Sequence, residues 1–289
     1  MAEKRKFRLG RFVTLILCLM LSLFLLFAVI NAKVVRIHRE TVTVSRLNPR
    51  LYGYKILFLS DLKISSEREA RQSAALVRRL VALDPDLIIL GGDITGKNLI
   101  QTLRERFSPG AEAEITTQLT KARDTFLAGI YGIGVPCFAV YGEEDIKMEQ
   151  ASASFSDVIF LDNAYYPVNV NGSYVLLAGT SDYRSRTLVK NLFPERSADL
   201  TIFICHDPTT ILREVSQLRR VDLALAGHTL GGQVTAGGLH LVHGDVIRDN
   251  EYGKALDLNY LISDGIGTEF LPLRVGTRPT AYLLEIISQ

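Results

Sequence analysis

Five short apolar segments constrain the fold of this chain most, because each is closely followed by an acidic residue or a histidine. The residues at their ends are Asp61, Asp93, Glu143, His206 and His228. Segments that are apolar throughout are typical of parallel strands buried on both faces. Helical periodicity separates several of them, at 67–83, 114–130 and 209–219. This alternation predicts an α/β fold whose strand core is covered by helices on both sides.

The residue types at these five strand ends predict a metal site. In open α/β folds, ligands bind beyond the carboxyl ends of the strands, so we expect the five side chains to converge. Carboxylates together with imidazoles suit a divalent transition metal such as Mn²⁺, Fe²⁺ or Zn²⁺. A single aspartate after a strand is also common in turns and helix caps, so the prediction depends on the whole set.

The N-terminal region predicts a membrane anchor. The run from Phe12 to Ile30 carries no charge, and a helix of that length approaches the roughly 30 Å hydrocarbon core. The larger group of flanking basic residues lies upstream, which favours a cytoplasmic N-terminus and an extracytoplasmic body. The alternative is a cleaved signal peptide, whose apolar region is usually only about 7–15 residues long. We therefore predict a basic tail (1–11), a single transmembrane anchor in the cell membrane (12–31) and one domain (33–289).

Charge and cysteine content add two further expectations. The formal net charge of +2 gives no bulk attraction for nucleic acid, so no nucleic-acid partner is predicted. Cys137 and Cys205 lie in apolar segments that we expect to be buried strands. Buried free thiols are the simpler interpretation, and a disulfide between them stays open at this point.

The segment Gly227-His228-Thr229-Leu230-Gly231-Gly232-Gln233 carries a family resemblance. It resembles the Gly-His-Thr-His-Gly-Gly-Gln signature of calcineurin-like metallophosphoesterases, with Leu230 in place of the second histidine. The segments 263–268 and 271–274 are similar to the C-terminal part of the membrane-associated branch of that family. The resemblance spans 54–286 and implies a four-layer sandwich, in which two mixed β-sheets are flanked by helices. The β-type runs of the last third are expected to complete the second sheet with antiparallel strands.

The resemblance implies two divalent ions bridged by Asp93, but this chain lacks part of the ligand set. The first ion would also take the positions of Asp61, Lys63 and Leu230, of which only the aspartate can coordinate a metal. The second ion would take the positions of Asp93, Glu143, His206 and His228, all of which can act as ligands. The resemblance therefore predicts one divalent metal and no second one.

Lys63 and Glu144 occupy the positions that the resemblance links to catalysis. We hypothesise that the Lys63 ammonium replaces the missing cation and neutralises neighbouring carboxylates or phosphoryl oxygens. The alternative is a lysine that points into solvent. Glu144 stands where the family has the histidine that protonates the leaving group. A carboxylate could do this only with a raised pKa, and otherwise it repels a phosphate.

Two functions remain open. The first is a non-catalytic or weakly hydrolytic protein that binds a phosphorylated or lipid-linked ligand, or an envelope partner. The second is an active single-metal hydrolase of phosphoesters or pyrophosphates. A third interpretation rebuilds the metal site with His240 or His243. Whether the chain is an enzyme is therefore undecided by the sequence.

Overall fold

The fold consists of two six-stranded sheets with helices on their outer faces. The computed structural model describes residues 2–145, 157–181, 192–193, 197–214, 218, 220–236, 239–240, 252–255 and 258–289. Its helices are α1 (Ala2–Asn31), α2 (Glu67–Leu80), α3 (Leu99–Phe107), α4 (Ala111–Ile130) and α5 (Thr209–Glu214). Short 3-10 helices lie at Pro49–Leu51, Val81–Leu83 and Leu230–Gly232.

The strands fall into two large sheets and one two-stranded ribbon. The first sheet contains β1 (Arg36–Val44), β2 (Tyr54–Leu59), β3 (Leu87–Leu90), β4 (Cys137–Ala139), β5 (Val158–Phe160) and β14 (Thr280–Ser288). The second contains β6 (Ala164–Val170), β7 (Ser173–Thr180), β8 (Leu200–Cys205), β9 (Leu223–Ala226), β12 (Tyr252–Ala255) and β13 (Leu258–Ile262). The ribbon pairs β10 (Thr235–Ala236) with β11 (Leu239–His240).

Both sheets are mixed. In the first, the order is β1-β14-β2-β3-β4-β5, and β2 to β5 run parallel to one another. In the second, the order is β12-β13-β9-β8-β7-β6, with parallel central strands and antiparallel β6 and β12 at the edges. The parallel segments place the carboxyl ends of β2, β3, β4, β8 and β9 where their following loops can meet.

The core forms three apolar layers between four structural layers. Residues such as Phe58, Val140 and Leu225 fill the space between the two sheets. The helices α2 and α4 cover the outer face of the first sheet. Ile211 of α5 lies in the apolar cluster on the outer face of the second sheet. This arrangement confirms the predicted four-layer sandwich of two mixed sheets flanked by helices.

The structure also corrects several local predictions. β14 does not complete the second sheet, because it inserts into the first sheet between β1 and β2. The helix α3 was not predicted, and α4 begins at Ala111 rather than 114. The described part of α5 ends at Glu214, before the predicted end at 219.

Cys137 and Cys205 are buried free thiols on different sheets, and burial raises the pKa of Cys137 to about 12.

The helix α1 is continuous, and its segment Gly10–Asn31 is long and apolar enough to span a membrane. Its last turn is tied to the body by hydrogen bonds. The Arg274 amide donates to the Ala28 carbonyl at 3.1 Å, and Asn31 Nδ2 donates to the carbonyls of Arg274 and Thr277 at 3.1 and 2.9 Å. Ala28 is fully buried by this contact. The end of the helix is therefore fixed against the loop that precedes β14.

Candidate metal centre

The predicted site residues lie on loops that follow five buried strands. Asp61 follows β2, Asp93 follows β3, and Glu143 follows β4, all in the first sheet. His206 follows β8 and His228 follows β9 in the second sheet. The strand ends of both sheets therefore contribute side chains to one region at the edge of the sandwich.

Asp61, Asp93 and His206 form the buried centre of this region. Their potential ligand atoms all lie within 4.8 Å of one another. His206 Nε2 is 3.2 Å from Asp93 Oδ2 and 3.8 Å from Asp61 Oδ1. Both carboxylates are fully buried, and burying two such groups is costly unless a cation compensates them.

The His206 ring is oriented by a hydrogen bond on its far side. Its Nδ1 lies 2.8 Å from the Gly91 carbonyl oxygen, so Nδ1–H donates and Nε2 faces the carboxylates. Among the described residues, the buried Nε2 has no hydrogen bond of acceptable geometry. Burial disfavours the charged ring, but the negative charge of Asp93 outweighs this and raises the pKa of His206 to about 10. A metal at this nitrogen would have to displace a proton.

Glu143 and His228, whose side chains could act as metal ligands, line a small cavity together with His206. Glu143 Oε1 is 3.8 Å from His228 Nδ1, and the His206 and His228 ring centroids are 5.2 Å apart. The cavity has a volume of about 10 Å³ and is lined by Glu143, His206 and His228 among others. A space of that size is on the scale of one water or one ion. Its lining includes a carboxylate and two imidazoles, which are ligand types that a divalent transition metal takes.

Lys63 lies inside the site, rather than in solvent. Its Nζ is 2.6 Å from Asp93 Oδ2 and 3.7 Å from Glu144 Oε2, and only 5% of its side chain is exposed. Burial disfavours the ammonium, but the charges of Asp93, Glu144 and Asp61 outweigh burial and raise the pKa of Lys63 above its usual value. The same pairing contributes to the opposite shift of Asp93. There burial alone would raise the pKa, whereas His206 and Lys63 lower it.

Leu230 places a buried apolar side chain beside Asp61. It is fully buried, and a Cβ built on Gly265 would lie 3.0 Å from Leu230 Cδ2 and 2.8 Å from Asp61 Cβ. The leucine is therefore a neighbour of Asp61, where the resemblance calls for a histidine ligand. Neither a protonated Lys63 nor Leu230 can coordinate a metal, so neither adds a ligand to Asp61, Asp93 and His206.

Glu144 and Asp145 hold the loop after β4 against Asp93. The Glu144 amide donates to Asp93 Oδ1 at 3.0 Å, and the Asp145 carboxylate accepts from the amides of Thr95 and Gly142 at 2.9 Å each. Burial raises the pKa of Glu144, although Lys63 opposes this. Burial and the charge of Asp93 raise the pKa of Asp145 to about 6. Gly142 allows the close approach, because a Cβ there would clash with the Asp93 carboxylate.

The backbone at the site is held in a conformation that non-glycine residues rarely adopt. Asp61, Lys63, Asp93, His228 and Leu230 all have φ values between 49° and 74°. Each such residue stores strain that the surrounding structure must offset, and residues of this kind cluster at functional sites. The residues with strained backbone therefore lie in the same region as the buried charged side chains.

Arg274 is a site-supporting residue to which the sequence interpretation gave no role. It is fully buried, and its guanidinium donates to the carbonyls of Leu230, Asp264 and Gly267 at distances between 2.6 and 3.1 Å. Burial lowers the pKa of Arg274 to about 10. The sequence feature that could have indicated this role is the arginine within the otherwise apolar stretch 271–275.

Comparison with known proteins identifies the family. The family model of calcineurin-like phosphoesterases matches residues 54–232, which is more than half of the chain. The chain belongs to the calcineurin-like phosphoesterase family. Members of this family bind divalent metals, and Asp61, Asp93 and His206 form a candidate metal site in this chain.

Several relatives align with most of the chain at low sequence identity. The Bacillus subtilis protein YpbG is 28% identical over 243 residues, which cover 80% of each chain. The Bacillus subtilis uncharacterized metallophosphoesterase YkoQ is 26% identical, over 89% of this chain and 92% of its own length. A Bos taurus transmembrane protein with a metallophosphoesterase domain is 22% identical, over 86% of this chain and 56% of its own length.

The structure therefore brings together Asp61, Lys63, Asp93, His206 and Glu144 in one buried network, with the Glu143–His228 pair beside it. The alternative ligands are not tested by these contacts. His243 and the side chain of His240 lie outside the described residues. The assignment of individual side chains as metal ligands remains a prediction.

Proposed function

We propose that this phosphoesterase is tethered to a membrane by α1, holds one divalent transition metal and binds a phosphorylated, lipid-linked ligand with little or no hydrolysis. The contact between Lys63 Nζ and Asp93 Oδ2, at 2.6 Å, carries the proposal. An ammonium in this position supplies a fixed positive charge where the family resemblance implies a metal ion. Lys63 cannot coordinate a metal while it is protonated.

The proposed metal ligands are Asp93, Glu143, His206 and His228. When bound, a divalent cation supplies Lewis-acid polarisation of a phosphoryl oxygen. The chain's own residues supply the rest. Gly91 orients the His206 ring through Nδ1, and Lys63 neutralises Asp93 and can face phosphoryl oxygens. Glu144 holds its carboxylate toward Lys63 and the Lys97 amide, where it is poorly placed to give a proton to a leaving group.

A groove beside the site supports a lipid-linked ligand. It has a volume of about 430 Å³ and extends from Lys33, next to the end of α1, to Lys63. Val35, Leu76 and Pro272 supply apolar walls. Lys33, Arg79 and Lys63 give three cations against one carboxylate, Glu69, which already accepts hydrogen bonds from Ser65. A molecule with an anionic headgroup and an apolar chain matches this lining.

The second candidate function is the single-metal hydrolase. It is favoured by the cavity that Glu143, His206 and His228 share, because this place can hold one metal without Lys63 or Leu230. The two candidates differ only in turnover, since both bind one metal and a phosphorylated ligand. Metal content and hydrolysis must therefore be measured separately.

Metal content is the first test. Elemental mass spectrometry on the full chain in detergent is expected to find one transition metal per chain. The Asp93→Ala/His228→Ala variant, which lacks two proposed ligands, is expected to bind none. A surface substitution, Arg68→Ala on α2, serves as the matched control and should bind like the parent chain. Two metals per chain would contradict the assignment of Lys63 and Leu230, and no metal would contradict the single-metal site.

Hydrolysis is the second test, with a short-chain phospholipid that ends in a phosphomonoester as probe. The parent chain is expected to bind the probe in titration calorimetry and to release phosphate at a rate near background. The variant Lys63→His/Glu144→His/Leu230→His restores the histidines that the resemblance implies. We expect it to release phosphate at least about 10²-fold faster, the scale of one restored general acid. Equal turnover by both proteins would favour the single-metal hydrolase, and no binding by the parent would contradict the proposal.

A further inference from the structure

The helix α3 presents an apolar face to the outside. Its exposed residues Leu99, Ile100, Leu103 and Phe107 have 36%, 70%, 45% and 73% of their surface accessible. At 100° per residue these positions fall within an arc of about 100°, which is one continuous stripe. The opposite side is fixed to the body, because Gln101 is buried and its Nε2 donates to the Ser65 carbonyl at 3.1 Å. The stripe is therefore held outward by the packing.

The apolar face continues to the end of the predicted membrane anchor. The Leu99 amide donates to the Phe270 carbonyl at 3.2 Å, and Phe270 and Leu271 are 44% and 46% exposed. Four residues further on, the Arg274 amide is bound to the Ala28 carbonyl of α1. Four residues span at most about 13 Å, so the exposed stripe begins close to the end of α1.

The charges around the stripe match a lipid surface. Arg104 and Arg106 flank it on its two sides. The Arg104 guanidinium also pairs with Glu114 of α4 at 2.8 Å, and the Arg106 guanidinium lies 5.8 Å from the centre of the Phe107 ring. Helices with an apolar face bordered by basic residues lie in the plane of a membrane, with the apolar face in the boundary between headgroups and acyl chains. Arginines at such borders extend their charged ends toward the headgroups.

We propose that α3, together with Phe270 and Leu271, lies in the interface of the membrane that α1 crosses, and so forms a second contact between the body and the bilayer. The occupant of this apolar face is the bilayer itself. The inference rests on the proposed anchoring by α1 but does not depend on metal binding or hydrolysis. This second contact also fixes the orientation of the folded domain relative to the membrane. The groove that begins at Lys33 then opens at the level of the lipid headgroups.

The sequence contains no tryptophan, so the fluorescence of a single introduced tryptophan comes only from the position at which it is placed. The full chain is reconstituted in vesicles whose phosphatidylcholine is brominated on the acyl chains. Bromine quenches a tryptophan that lies about 5–10 Å into the boundary, as expected for this kind of helix. Phe107→Trp and Ile100→Trp are two independent reporters, both at exposed positions.

Two further variants separate this inference from the proposed anchoring. Leu21→Trp lies in α1 and reports the anchor alone. Tyr52→Trp is the matched surface control, because Tyr52 is 66% exposed and the neighbouring Gly53 amide donates to the Ile286 carbonyl, at the level of Val42 in β1. Val42 is six residues along β1 from Arg36, which corresponds to about 20 Å.

We expect brominated lipid to reduce the fluorescence of the α3 reporters and of Leu21→Trp by more than about twofold, as insertion at the boundary requires, and to leave Tyr52→Trp unchanged. Quenching at Leu21→Trp without quenching at either α3 reporter would overturn the second contact and leave the anchor intact. No quenching at Leu21→Trp would overturn both the anchor and the inference. Equal quenching of Tyr52→Trp would also overturn the inference, because contact would not be specific to α3.

Discussion

Replacing Arg274 with methionine is expected to lower the free energy of unfolding by about 3–5 kcal/mol. The substitution keeps an apolar stem but removes the guanidinium that serves the buried carbonyls of Leu230, Asp264 and Gly267. Each buried group left without a partner costs about 1–3 kcal/mol, so three losses sum to about 3–9 kcal/mol. Removing the buried guanidinium also removes its desolvation cost, which offsets part of this sum and leaves the lower part of the range. Denaturant unfolding of the full chain in detergent measures the change.

The control for this experiment is Arg278→Met, four residues away on the same loop. Arg278 is exposed, and a surface substitution of this kind usually changes stability by less than about 0.5 kcal/mol. A loss below about 1 kcal/mol in the Arg274 variant would mean that water or rearranged side chains satisfy the three carbonyls. We would then abandon the view that Arg274 shapes the loop carrying Leu230.

The second large effect is expected for Lys63→Met, measured without added metal. The substitution removes the ammonium that lies 2.6 Å from Asp93 Oδ2, next to the fully buried Asp61 carboxylate. Removing one partner of a buried ion pair typically costs about 3–5 kcal/mol. We expect a loss near the lower end, because His206 Nε2 still lies 3.2 Å from Asp93 Oδ2. If Lys63 stands in for a cation, added Mn²⁺ or Zn²⁺ should recover part of this loss, by about 2.7 kcal/mol at a concentration of 100 times Kd.

Lys97→Met is the matched control, since Lys97 is a neighbouring lysine that pairs with Glu105 in a partly exposed position. A pair of this kind contributes only about 0–1 kcal/mol, and added metal should stabilise this variant no more than it stabilises the parent chain. If Lys63→Met and Lys97→Met were equally stable, the idea that Lys63 replaces a cation would be refuted. If the loss were large but no divalent ion reversed it, Lys63 would be a structural counterion in a site that no metal can enter.

The candidate site residues could be predicted from the sequence because their signal is local. Each of Asp61, Asp93, Glu143, His206 and His228 follows an apolar run, and strand ends in parallel sheets gather at one edge. The same pattern predicted the α/β class, whereas the two mixed sheets were implied by the family resemblance. Glu144 was recognised as a departure from the family motif, whereas its contact with Lys63 could not be derived from the linear order.

Two features escaped the sequence for different physical reasons. The helix α3 has only nine residues, and its apolar stripe faces outward, so it does not show the pattern of a helix packed on a core. The placement of β14 between β1 and β2 is a pairing between chain ends, and strand propensity carries no information about which partner a strand chooses.

The sequence by itself determined the fold class, the strand-end residues available for chemistry and a helix long enough to cross a membrane. These follow from hydrophobic periodicity and residue type, which are properties of neighbouring positions. Only the tertiary structure decided that Lys63 turns inward onto Asp93, that Arg274 holds three distant carbonyls, and that α3 lies beside the end of α1. Those contacts join residues far apart in the chain, and burial, which sets the strength of their charges and hydrogen bonds, exists only once the sheets have packed.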